Sequence, residues 1–222
     1  MGDGNGERRV ALAIGAHPDD IEFSMAGTLL RLGEAGFQLH YYNLSSGNCG
    51  RSMLDGQKTA LVRAAEARRA AGILGAEWHP PVARDLEIVY GVNLLRRVTA
   101  TVRKVNPTIV LTHPPQDYME DHVNTCRLAV TATFAQGMPN FLSEPPVSAE
   151  GGGVAVYHSM PHGLRDPLRS NVTAGAFVDT SEVHGRKCAA LAEHASQGDW
   201  LDRTQGMESP VDAMTRFSVE LG

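Results

Sequence analysis

Long apolar runs, basic clusters and paired cysteines are all scarce in this chain. No apolar stretch approaches the ~18 residues that a membrane span needs, so no spanning segment is expected. Lys and Arg number 20 against 25 Asp and Glu, for a formal net charge of −5. Without a Lys/Arg run, the chain lacks the electrostatic footprint of a nucleic-acid binder. The three cysteines, Cys49, Cys126 and Cys188, are odd in number and far apart. That pattern suits reduced thiols in a cytoplasm better than a disulfide framework. No CxxC occurs, which argues against a structural Cys-zinc site. The dinucleotide fingerprint G-x-G-x-x-G is missing after the first apolar run, as are a P-loop and a G-x-S-x-G. The opening "MGDGNGERR" is polar and Gly-rich, so residues 1–8 read as a disordered tail rather than a secretory signal.

What is present is a globular composition. Of 222 residues, 42% are hydrophobic and 20% charged, enough for a sizeable core. "RVALAIG" (9–15) reads as a buried strand, and "FQLHYYNLS" (37–45) as a second strand, in which one of Tyr41 and Tyr42 packs inward and the other faces out. Residues 24–35 have helical spacing. The Ala-, Leu-, Arg- and Glu-rich run 58–74 is the clearest helix, with Gly75 as its C-terminal signal. Further helices are expected over 92–105, 122–136 and 182–195, the last with Ser181 as N-cap. Further strands are expected at "TIVLT" (108–112), 154–159 and 176–181. This alternation predicts an α/β fold: a single three-layer, Rossmann-like domain over 9–222 with a mostly parallel sheet.

In such sheets ligands bind at the carboxyl ends of the strands. Two acid-and-histidine clusters fall there: "GAHPDD" after the first strand and "THPPQDYMEDH" after "TIVLT". Adjacent Asp19 and Asp20 repel, and a divalent cation would offset that repulsion. His17 and Asp20 can converge on an ion while Asp19 faces its water; His113 or His122 supplies a third ligand. A surface turn built on Pro and Asp is the competing reading of "HPDD".

Beyond these clusters, "AHPDDIEFSMAGTL" resembles the signature of the LmbE/PIG-L family of zinc-dependent N-acetylglucosaminyl deacetylases. "LVRAAEARRAAGILGAE", "DYMEDHVNTCRL" and "FVDTSEVHGRKCAALAEHASQGDW" resemble further segments of that family, in order, out to about residue 200. The resemblance implies His17, Asp20 and His122 as zinc ligands, Asp19 as general base and Arg63 as a substrate-binding or site-organising group. In such relatives Asp121 supports a catalytic His three residues before the last ligand; here that position is Met119, which cannot donate a proton. Tyr118, Arg63 or His194 then become candidates for an oxyanion donor. His113 is expected as a core or supporting histidine, and Glu22 as a support to a ligand. The implied reaction is metal-dependent removal of an acyl group, acetyl above all, from an amino sugar or sugar conjugate. Zn²⁺ is the implied ion, with Fe²⁺ an alternative. Two rival readings are a non-haem iron oxygenase, since two His and a carboxylate also bind Fe(II), and a catalytically silent metal-binding protein. A cytoplasmic homo-oligomer is the expected setting.

Overall fold

The computed structural model describes residues 9–50, 55–197 and 209–221; the expected tail over 1–8 lies outside them. One five-stranded sheet forms the centre, in the order β3-β2-β1-β4-β5. Its strands are β1 (Val10–Gly15), β2 (Gln38–Asn43), β3 (Ala76–His79), β4 (Ile109–Thr112) and β5 (Ala155–His158). All four pairings are parallel. Helices α1 (Asp20–Ser24), α2 (Ala26–Glu34), α3 (Gly56–Leu74), α4 (Val92–Val105), α5 (Glu120–Ala135) and α6 (His184–Ala192) cover it, with a C-terminal helix at Pro210–Leu221.

β1 is buried at every position because helices cover both faces of the sheet. Ala11 and Ala13 join Leu29, Leu30, Ala67, Ala70 and Leu74 on one face. Val10, Leu12 and Ile14 join Val98, Val102, Leu128 and Ala132 on the other. These two apolar layers make the three-layer α/β fold that the strand–helix alternation implies.

Several sequence expectations need correction. Residues 176–181 form no strand; they lead, without strand pairing, into a 3₁₀ turn at Ser181–Val183, and α6 starts only at His184. Ser181 therefore does not cap α6. The helix expected over 24–35 is α2, Ala26–Glu34, preceded by the separate short helix α1, from which it is divided at Met25, whose backbone leaves helical geometry. Tyr41 and Tyr42 are both fully buried, because both faces of β2 are covered. Cys49 is exposed, whereas Cys126 is buried. β3 and the helix Pro210–Leu221 were not anticipated at all.

β1 and β4 are neighbours, while the chain from β1 returns first through β2 on the opposite side. Their carboxyl ends therefore open onto the crevice where the strand order reverses. Both acid-and-histidine clusters sit at this point.

Candidate active site

The first cluster is shaped by a tight turn out of β1. A side chain at Gly15 would collide with Asn43 Oδ1, 2.7 Å from its Cβ, and crowd Ile21 and Asp20, so glycine lets α1 pack close to the strand end. Asp19 caps α1 with its backbone at φ 106° and ψ −24°. For a non-glycine residue that conformation costs about 1–3 kcal/mol, and such strain concentrates at functional sites. Asp19 makes no side-chain capping bond, which leaves its carboxylate free for other partners.

Asp20 turns the other way. Its Oδ2 accepts the backbone N–H groups of His17 at 2.7 Å and Ala16 at 3.1 Å. Its Oδ1 faces His122 Nε2 at 3.4 Å. Burial opposes its charge, but His122 and His113 hold its carboxyl well below the usual range.

Two imidazole–carboxylate pairs converge on Asp20. His122, in the first turn of α5, has Nδ1 3.0 Å from Asp117 Oδ1 and Nε2 turned to Asp20. His17 has Nε2 2.9 Å from Asp121 Oδ2 and Nδ1 3.4 Å from Asp20 Oδ2. Each carboxylate fixes a tautomer and leaves the opposite ring nitrogen, with its lone pair, aimed at one point. The carboxylates are themselves anchored. Asp117 Oδ1 accepts the Met119 N–H at 3.0 Å, and Asp121 Oδ2 accepts the Leu86 N–H at 2.7 Å. Burial opposes charge on both imidazoles. The carboxylates outweigh it, raising His17 well above its ordinary value and His122 to about 9.

His113 is buried against the same point, stacked on His122 with centroids 4.1 Å apart. Its Nε2 accepts the Ala16 N–H at 3.0 Å and lies 3.1 Å from Asp20 Oδ2. Burial lowers the pKa of its ring, with Asp20 opposing.

Arg63 rises from α3 behind Asp19 and is only 1% exposed. Its Nη2 donates to Asp19 Oδ2 at 3.2 Å and to the Pro18 carbonyl, and its Nη1 lies 3.8 Å from Glu66 Oε2. Gly47, at φ 72°, makes room for it, since a Cβ there would come within 2.8 Å of Arg63 Nε. Burial raises the Asp19 pKa, with Arg63 opposing. His194 sits deeper still, with Nε2 3.1 Å from Glu22 Oε1 but outside hydrogen-bond geometry. Glu22 in turn accepts from the Tyr41 hydroxyl at 3.2 Å. His194 and Glu22 therefore back Asp19 and do not line the cavity.

The cavity over these groups has a volume of about 630 Å³. Phe23, Met160, His162 and Phe217 form an apolar and aromatic wall, and Tyr118 and Met119 stand beside His122. The Tyr118 ring meets His122 edge-on at 5.7 Å. Asp85 rims the opposite side and binds the loop from β2 through the N–H groups of Gly47 at 2.7 Å and Cys49 at 2.8 Å. A smaller hollow of about 380 Å³, near Val89 and Arg97, holds no histidine.

The structure brings His17, Asp19, Asp20, His122, Arg63, Asp121 and Tyr118 to one place. Sequence reading missed Asp117 and Asp85. Asp117 was legible as the acid five residues before His122; Asp85 lies in a loop with no motif. Asp121, expected to support residue 119, instead holds His17.

The residues present fit a divalent cation. One ligating atom each from His17, Asp20 and His122 lies within 4.8 Å of the other two. Two ligands with bonds of ~2.1 Å cannot be more than ~4.2 Å apart; His17 Nδ1 lies 3.4 Å from Asp20 Oδ2 and His122 Nε2 3.4 Å from Asp20 Oδ1, each within that limit. Asp19, Asp20, Asp85 and Asp117 gather around the cavity, with Arg63 the only Lys or Arg among the described residues lining it. The raised imidazole pKa values express this excess of negative charge, and a cation would take the place of those protons. His113, Asp117 and His122 form an overlapping set. The prior bonds of His113 Nε2 and of Asp117 favour the first.

Comparison with known proteins agrees with this geometry. The family described as GlcNAc-PI de-N-acetylase matches residues 12–133. A diacetylchitobiose deacetylase of Thermococcus kodakarensis is 30% identical over 192 residues, 84% of this chain and 69% of that protein. A 4-oxalmesaconate hydratase of Pseudomonas putida is 28% identical over 201 residues, 87% of this chain and 76% of that protein. The crystal structure of a 4-carboxy-2-hydroxymuconate hydratase from Pseudomonas putida superposes with a TM-score of 0.80 at 26% identity, covering 96% of this chain and 86% of that one. An N,N'-diacetylchitobiose deacetylase from Pyrococcus horikoshii superposes with a TM-score of 0.74 at 24% identity, over 96% and 79% of the two chains, which bears on the fold. With the family match running over more than half of its length, from β1 through α5, the chain belongs to the PIG-L (LmbE-like) family of deacetylases.

Proposed function

We propose that the protein is a metal-dependent N-deacetylase acting on an N-acetylated amino sugar or sugar conjugate. The observation that carries the metal is the pair of carboxylate-fixed imidazoles aimed at Asp20. His17 Nδ1, an Asp20 oxygen and His122 Nε2 would hold the ion, with Asp121 and Asp117 setting the tautomers. When bound, a divalent ion such as Zn²⁺ acidifies a water and polarises the acyl carbonyl.

The chain's own residues supply the proton traffic. Asp19 takes the proton of the attacking water and returns it to the departing amine. Burial has already raised its pKa towards that of a useful base, while Arg63 holds the carboxylate in place. Tyr118, protonated at neutral pH, can donate to the developing oxyanion from the His122 side. Met119 contributes no proton, so this path uses a single carboxylate as both acceptor and donor. Arg63, already bonded to Asp19 and Pro18, organises the base rather than the substrate.

The cavity supports a sugar. Its aromatic wall suits the flat apolar face of a pyranose, and Gly47, Gly50, Asp85 and Gln197 face it with polar groups. The known activity of the Thermococcus relative points the same way.

A hydratase reading is favoured by the Pseudomonas relatives. Charge weighs against it. A substrate with several carboxylates needs cationic partners, and Arg63, the one Lys or Arg among the described lining residues, is already paired. An oxygenase with this ligand set would be expected on an all-β framework, and the sheet here is parallel and covered by helices.

The test is to incubate the metal-loaded protein with a panel of N-acetylated amino sugars, measuring acetate, and with 4-oxalmesaconate, measuring hydration. Acetate release with no hydration is expected. Hydration without acetate release would select the hydratase reading, and neither activity the silent one.

A further inference from the structure

A second histidine group lies away from the cavity. β2 and β3 are parallel neighbours, and their register sets His40 opposite Glu77. Side chains alternate along a strand, so His79, two residues beyond Glu77, projects from the same face of the sheet. His40 Nδ1 and His79 Nε2 stand 2.9 Å apart, and Glu77 Oε2 is 3.8 Å from His40 Nδ1. The two imidazoles are buried, at 7% and 5% exposure, while the Glu77 side chain is 62% exposed. None of the three lines the active-site cavity.

We propose that His40, Glu77 and His79 form a second divalent-metal site, which clips the edge strand β3 to β2 and keeps one position open to solvent.

The donor set suits this. Two imidazoles and a carboxylate are ligands for zinc, and also for nickel or copper. One ligating atom from each residue lies within 4.8 Å of the others. Two nitrogens bound to one tetrahedral ion at ~2.0–2.1 Å sit ~3.3 Å apart, so the pair needs to open by only a few tenths of an ångström. Without an ion, one of the facing nitrogens must donate and the other accept. With an ion, both present lone pairs. Burial, with His40 beside it and Glu77 opposing, holds His79 down to about 4, so its ring is neutral and ready to ligate at physiological pH. Lys104 on α4 is the nearby cation, and its exposed side chain is free to face water. Glu77 lies at the mouth, where it can close over an entering ion. β3 has four residues and one strand neighbour, so an ion joining it to β2 would secure one of the two edges of the sheet described here.

The alternative is a plain histidine–histidine hydrogen bond beside a surface glutamate. Metal-stripped Asp20→Asn protein isolates the question from the active site. Titrated with zinc chloride against a chromophoric chelator, it is expected to bind one equivalent at micromolar zinc. Adding His79→Gln should abolish that binding. Adding Glu77→Gln, at an exposed position where folding is safe, should weaken it at least tenfold. In the wild-type background His79→Gln should lose one of two equivalents and keep its acetate release. If Asp20→Asn binds no zinc, or binds it equally with and without Glu77→Gln, the site does not exist. The active-site assignment fails by a different result: wild type and Asp20→Asn binding the same number of ions.

Discussion

Asp19 and Asp20 are neighbours in sequence but face different partners. The left-handed backbone at Asp19 rotates its side chain to Arg63, while Asp20 takes backbone N–H groups and faces three imidazoles. On the proposed reading this separates the base from the ligand. Asp19→Asn should then keep metal affinity within about twofold and lower kcat/KM by ~10²–10⁴, the range for a general base. Metal titration and acetate release on the same sample check this; equal activity would remove Asp19 from the mechanism. Asp117→Asn leaves His122 in place but weakens the partner that fixes its tautomer. Metal affinity should fall ~10–100-fold, read by chelator competition, because such partners orient a ligand without touching the ion. The resemblance implied the roles of His17, Asp20 and His122, but not that of Asp117. Its place five residues before His122 takes on meaning only once the folded turn before α5 brings the two together.

At the scale of elements, α6 carries a buried cation. Lys187 is buried between α6 and the C-terminal helix, with Nζ 3.1 Å from Ser218 Oγ. Burial lowers its pKa from 10.5 to about 8. Between those values the unfolded chain holds the proton more tightly, so stability rises with pH through that window and the penalty is full below about pH 8. Lys187→Met should remove a penalty of about 1–3 kcal/mol at neutral pH, since one pKa unit is worth ~1.4 kcal/mol. Urea denaturation at pH 7 and pH 10 should show the variant more stable at the lower pH, with the difference closing at the higher. The elements that sequence patterns revealed are those with long or unambiguous periodicity, β1, α3 and α4 among them. β3, "AEWH", is too short and too polar to show alternation. "AFVDTS" shows the β-branched and aromatic composition of a strand without gaining a neighbour to pair with. α1, five residues long, is too short to show a helical period of its own ahead of the helix expected over 24–35.

For the whole molecule, the parallel sheet brings two sequence-distant clusters to one crevice, where the strand order reverses on either side of β1. The motifs at 15–20 and 113–122 are about a hundred residues apart, yet Asp20 lies between His17 and His122. The cavity is acidic and aromatic, which suits a neutral sugar better than a polyanion. No described helix is long and apolar enough to cross a membrane. The account turns on one claim, that this acidic crevice hydrolyses an N-acetyl group only when it holds a metal ion at Asp20. The direct measurement is acetate release from an N-acetylated amino sugar by chelator-stripped protein, before and after zinc is restored, in wild type and in Asp20→Asn. The account predicts that wild-type turnover vanishes on stripping and returns with zinc, while Asp20→Asn stays inactive. Undiminished acetate release from the stripped wild type, or full activity in Asp20→Asn, would contradict it.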